Sequence, residues 1–182
     1  MSPRDYVQER ISNMTDKDKS NLIDLLTETH SDLRELVVVA NLETPVYTDA
    51  DAGVSWRIRD ILGHIATWDL ETARSLRANR AGGVYLTPDF DEDEDDFNQQ
   101  AVAEQRKLTT QELVAEWEQA HEEFKEAVQD IPDDQFPGNL LYPWGDERGT
   151  ISYLVDYMVE HAVEHRDEIA KAIQNSSCYD RR

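Results

Sequence analysis

Cysteine is nearly absent from this 182-residue chain, and its single thiol, Cys178, falls in a polar C-terminal stretch. One thiol cannot close an intramolecular disulfide, so a disulfide-stapled secreted scaffold is excluded. Cys178 could serve as a nucleophile, but its tail position argues against a built site. Glycine and proline are also scarce, at 7 and 6 residues, which leaves few turn signals for a strand-rich fold. Helix formers dominate, and the composition points to an all-α chain. Positive charge is the third shortage. Against 39 acidic residues there are 18 Lys and Arg, a formal net charge of −21. Such a surface repels phosphate backbones and argues against nucleic-acid or anionic-membrane partners. It suits either a high-salt or acid-tolerant host or an acidic cytosolic protein. No apolar run approaches membrane-spanning length, and no basic segment precedes an apolar stretch at the N-terminus, so a cytoplasmic location is expected.

What is present is an ordinary polar-rich globular balance, 39% hydrophobic and 31% charged, long enough for one domain with its own core. Apolar spacing divides it into an N-terminal arm over 1–19, a helical domain over 20–174 and a tail over 175–182. The first helix is expected from Ser20 to Ala40. Leu22, Leu25, Leu26, Thr29, Leu33, Leu36, Val37 and Ala40 form its inner stripe. Residues 41–54 read as a loop. A second helix follows, capped by Ser55 and ending near Asn79 before Gly82-Gly83, with a stripe of Ile58, Ile61, Leu62, Ile65, Trp68 and Leu76.

The acidic run from Asp91 to Asp96 invites a cation-site reading. A solvated loop leading into a helix explains it as well, and no glycine stands where an EF-hand loop needs one. The third helical segment, from Phe97 to Ile131, breaks near Leu108, where Thr109 and Glu112 fit a capping box. Val114, Trp117, Ala120, His121, Phe124 and Val128 make its stripe. A long loop covers 132–149, and Thr150 caps a last helix running to about Gln174. No strand pair stands out. Four helices joined by long connections make a four-helix bundle, with the connections acting as crossovers or shaping one open end.

Two histidines of the last helix, His161 and His165, occupy stripe positions where an ordinary bundle places leucine. Their four-residue spacing stacks them about 6 Å apart on one helical face, which lets two imidazoles share one metal ion. His64 lies inward on the second helix between Ile61 and Trp68, and Gly63 beside it permits a close approach. A helical His-x-x-x-His also arises by chance, and a single inward histidine is commonly a hydrogen-bonded core residue. Three together would need three separate buried partners, whereas one metal satisfies all of them. His30 and His121, flanked by acids, are assigned to the surface or its boundary.

The segments Trp56-Arg-Ile-Arg-Asp-Ile-Leu-Gly-His64-Ile-Ala-Thr-Trp68 and Glu160-His161-Ala-Val-Glu-His165-Arg-Asp-Glu-Ile169 resemble the two metal-binding motifs of the DinB-like (YfiT-like) metalloenzyme superfamily. The stretches Asp96-Phe97-Asn98 and Gly149-Thr-Ile151 are similar as well, and the resemblance spans roughly residues 20–174. It implies a DinB/YfiT-like four-helix bundle with a three-histidine site at His64, His161 and His165, holding zinc or nickel. The superfamily includes mycothiol-dependent maleylpyruvate isomerase and thiol S-transferases using bacillithiol or related thiols. A metal-dependent transferase acting with a low-molecular-weight thiol is therefore expected first. A metal-dependent hydrolase, and a non-catalytic metal- or small-ligand-binding module, remain as alternatives. Trp68, Trp144 and Tyr157 are candidate pocket walls. Glu164 and Asp60 are candidate partners of the ligand histidines, with a surface role as the plainer reading. Arg57, Arg59 and Arg166 are candidate contacts for an anionic head group or, more plainly, solvent-facing ion pairs. Dimerisation through the bundle helices is compatible with the pattern but not signalled by it.

Overall fold

The computed structural model describes residues 18–49, 54–88, 90, 94–145 and 147–179. The expected arm lies outside these residues up to position 17, as do the tip of the first loop and Asp91, Glu92 and Asp93 of the acidic run. In chain order the elements are α1 (Lys19–Val39), β1 (Pro45–Asp49), β2 (Val54–Arg57), α2 (Ile58–Arg80), α3 (Glu94–Gln105), α4 (Thr110–Gln129), β3 (Asn139–Leu141), β4 (Arg148–Thr150) and α5 (Ile151–Tyr179).

Helices α1, α2, α4 and α5 form the bundle, and α3 lies against α2. The principal helix contacts are α2 with α4 and α1 with α5, closed into a ring by α1 with α4 and α2 with α5. Ion pairs reveal the directions. Arg77 binds Glu123 and Arg80 binds Asp130, so α2 and α4 advance together. Lys19, at the start of α1, donates to the carbonyls of Gln129 and Ile131 at the end of α4, while Arg34 reaches back to Glu118, so these two run oppositely. Parallel α2 and α4 need a return path between them, which the segment carrying α3 supplies. Consecutive helices α1–α2 and α4–α5 share little contact and sit diagonally, so the long connections are crossovers.

Both crossovers contain a hairpin, which corrects the expectation of no strand pairing. β1 pairs antiparallel with β2, and β3 with β4. These strands are three to five residues long, too short for a period of two to declare itself. β2 also displaces the expected cap at Ser55. The strand continues to Arg57, whose N–H donates to the Asp60 carboxylate at 2.9 Å and starts α2 there.

Other boundaries match the sequence reading. Thr109 and Glu112 form the reciprocal capping box of α4, and Thr150 Oγ1 accepts from Tyr153 N at the start of α5. One start differs, because α3 begins ahead of the expected Phe97: Glu94, Asp95 and Asp96, expected in a solvated loop, make its first turn, where negative charge meets the positive helix end. Gly82, at φ 78°, closes α2. The last helix exceeds its expected end at Gln174 and continues to Tyr179, so much of the expected tail is helical.

The core has two parts. One gathers Leu22, Leu26, Trp68, Phe124, Leu154 and Met158. The other gathers Leu33, Ile58, Ile61, Ile65, Trp117 and Ile169. Among the described residues no helix is long and apolar enough to cross a membrane.

Candidate metal centre

His64 stands two turns into α2, and His161 and His165 lie one turn apart on the facing side of α5. Antiparallel packing of these helices brings the three rings together. His64 Nε2 is 2.9 Å from His161 Nε2, and His161 Nε2 is 3.1 Å from His165 Nε2. One ligating nitrogen from each ring falls within 4.8 Å of the other two. The rings meet at steep angles of 65°, 87° and 79°, so their nitrogens converge rather than their faces.

An imidazole Nε2 carries one proton or one lone pair in the ring plane. His161 Nε2 therefore cannot make a linear hydrogen bond to each of two neighbours. A cation between three lone pairs removes that conflict. Metal–nitrogen bonds of about 2.1 Å place adjacent donors about 3.0 Å apart at right angles and about 3.4 Å apart at tetrahedral angles. The observed spacings sit at the lower end of that range. Burial pushes His64 down to about 3, aided by the neighbouring His165. Burial, His165 and His64 push His161 well below its ordinary value. Both rings are neutral at physiological pH, the state a metal requires.

The surroundings are aromatic. The Trp56 ring lies 5.1 Å from that of His64. Trp68 follows His64 by one turn, and Tyr157 precedes His161 by one turn. Trp144, from the β3–β4 hairpin, bridges them at 6.3 and 5.7 Å. The three expected wall residues thus form one cluster, about a helical turn along from His64 and His161. Trp68 is pinned by its Nε1–H, which donates to Asn98 Oδ1 at 2.9 Å. Gly63 does permit a close approach, because a Cβ there would lie 3.0 Å from Gln105 of α3.

The charged candidates divide differently. Arg57 and Arg59 both bind Glu43, and Arg166 binds Asp32 and Asp167, so all three are paired, but the Arg59 side chain is only 12% exposed and also donates to the Leu108 carbonyl, so it is not solvent-facing. Asp60 is neither a surface group nor a partner of the triad. It is buried and clamped by Arg106, whose Nε and a terminal nitrogen donate at 2.9 Å. Burial pushes its carboxyl up, but the hydrogen bonds from Arg106 and the Arg57 N–H outweigh this and hold it below its ordinary value. Glu164 is exposed. The carboxylate that meets the triad is Glu168, which sequence reasoning missed. Its Oε2 lies 2.8 Å from His165 Nδ1. The signal was available as a His-x-x-Glu step, which places both groups on one helical face.

His30 and His121 are also corrected, since both are buried. Their acidic neighbours in sequence turn away around the helices, and the two imidazoles stack across α1 and α4 at 3.8 Å. His30 Nε2 meets Glu118 at 3.1 Å, and His121 Nδ1 lies 4.0 Å from buried Asp69. These residues help line a small cavity with Thr29, Ile65 and Met158, apart from the three-histidine cluster.

A bundle with crossover hairpins and three convergent histidines defines a class of helical proteins equipped to hold one metal ion. The DinB superfamily sequence model matches residues 25–169, and the chain belongs to that superfamily. A search of curated proteins finds no match. Among solved structures, an uncharacterised protein from Escherichia coli UTI89 is similar with a TM-score of 0.72 at 16% identity, covering 88% of this chain and 95% of its own. The mycothiol-dependent maleylpyruvate isomerase is similar with a TM-score of 0.67 at 16% identity; the match covers 86% of this chain but 63% of the isomerase. YfiT from Bacillus subtilis, described as a probable metal-dependent hydrolase with an unusual four-helix bundle topology, gives 0.66 at 18% identity over 91% of each chain. At these identities the likeness establishes the fold.

Proposed function

We propose that His64, His161 and His165 hold one divalent metal ion, zinc or nickel, and that the protein is a transferase using a low-molecular-weight thiol. The observation that carries the metal reading is the convergence of three Nε2 atoms on one point. Three protein donors leave coordination positions open to a small molecule. Held by these residues, a divalent metal would supply the Lewis acidity that favours the thiolate form of a small thiol at neutral pH.

The chain's own residues supply the rest. Trp56, Trp68, Trp144 and Tyr157 form an apolar border that limits water and orients a co-substrate. The transfer reading draws support from the make-up of the group that could hold the metal. Among the described residues no carboxylate joins the three-histidine group, and Glu168 faces the outer nitrogen of His165. A hydrolase needs a base beside its water, and among the described residues no carboxylate stands with the three ligating nitrogens to serve as one. The similarity to the mycothiol-dependent isomerase points the same way. Hydrolysis is the second reading, favoured by the description of YfiT.

The test is thiol consumption against a panel of electrophiles, run with metal-loaded and metal-stripped protein beside ester and amide substrates. Metal-dependent thiol loss is expected. Turnover of esters or amides without thiol would replace the transferase by the hydrolase.

A further inference from the structure

We propose that Glu168 is a positioning residue that selects the metal-binding tautomer of His165 and strengthens it as a ligand. The inference rests on the metal reading above and extends it beyond the three rings. A ring that offers Nε2 to a cation must carry its proton on Nδ1, and a partner on Nδ1 decides whether it does. Glu168 Oε2 stands 2.8 Å from His165 Nδ1, one turn along the same helix. Among the described residues the other two rings have no such guide: His64 Nδ1 and His161 Nδ1 are buried and find no hydrogen-bond partner there. Their orientation comes from packing, against Trp56 in the case of His64. His165 therefore has its tautomer set before a cation arrives, by a carboxylate placed on its outer nitrogen.

A surface ion pair and a ligand-positioning carboxylate give different results on titration of the metal-free protein with Co²⁺, followed by its visible d–d absorption. Glu168→Ala should weaken Co²⁺ binding 10- to 100-fold, the range seen when outer partners of ligand histidines are removed. Glu168→Gln keeps an acceptor for Nδ1–H without the charge and should fall between alanine and wild type, or with alanine. Glu164→Gln removes the same charge from the same helix without touching a ligand ring, and should bind as wild type. Thermal melting of the metal-free forms should not separate the variants, because the Glu168 side chain is 50% exposed. In a His165→Ala background, Glu168→Ala should have no further effect on affinity.

Wild-type affinity in both Glu168 variants would overturn the proposal while leaving the metal site standing. An equal loss in Glu164→Gln would reduce Glu168 to one acidic charge among many and overturn it too. A wild-type protein that takes up no Co²⁺ would remove the metal reading itself.

Discussion

A methyl group at Gly149 would sit 1.9 Å from the Tyr142 hydroxyl oxygen, so the β3–β4 hairpin closes because position 149 has no side chain. Tyr142 is buried and cannot swing aside freely. Gly149→Ala should therefore destabilise the protein by about 1–3 kcal/mol, the usual cost of overpacking. Equilibrium denaturant unfolding measures it, and a change within about 0.5 kcal/mol, the range of an ordinary surface substitution, would show that the contact is not tight. At this scale the three histidines were legible because imidazoles on an apolar stripe break its pattern. His121 breaks its stripe too and His30 lies at the edge of its own, yet the acidic neighbours of both in sequence suggest exposure. Residues one or two positions away on a helix point elsewhere, so flanking charge says little about burial. Asp60 escaped for a related reason, since its partner Arg106 lies 46 positions away in sequence.

The helices were legible because three-four apolar spacing persists over twenty residues, and the hairpins were not because nothing persists over three. What joins α1, α2 and α4 includes a polar contact no periodicity could announce. Asp69 of α2 faces His121 of α4, which stacks on His30 of α1. Burial raises Asp69 to about 8 and lowers His121 to about 3, with His30 and Lys125 adding to the latter. Each shift has a signed consequence for stability. The depressed histidine contributes stability above its ordinary value of 6.5, which is lost as pH falls toward about 3. The raised carboxyl contributes stability below its ordinary value of 3.8, which is lost as pH rises toward about 8. Between 3.8 and 6.5 the folded and unfolded pair each hold one proton, so their effects cancel. Asp69→Asn removes the alkaline loss. Relative to wild type, the variant should gain stability steadily from about pH 4 to about pH 8, by at most about 1.4 kcal/mol per pH unit. Unfolding free energies across that range provide the check. A constant difference would mean that Asp69 is ionised in the folded protein throughout.

Over the whole molecule, a net charge of −21 works against the compact state through self-repulsion. Added salt screens it, so the melting temperature should rise between about 0.01 and 0.15 M NaCl, as the screening length falls from about 30 to about 8 Å. A melting temperature that fell over this range would instead mark the surface ion pairs as the dominant electrostatic contribution. The fold and family could be read from two motifs, because their spacing fixes which helices face each other. The crossover order and parallel pairing of α2 and α4 could not, because they depend on contacts between segments distant in sequence. The central claim concerns the point where α2 meets α5. Elemental analysis of the purified protein beside its His64→Ala and His165→Ala variants, each confirmed as folded by circular dichroism, tests it most directly. About one zinc or nickel ion per wild-type chain, and loss of most of it in both variants, is predicted. Folded variants that keep the wild-type metal content would contradict the assignment.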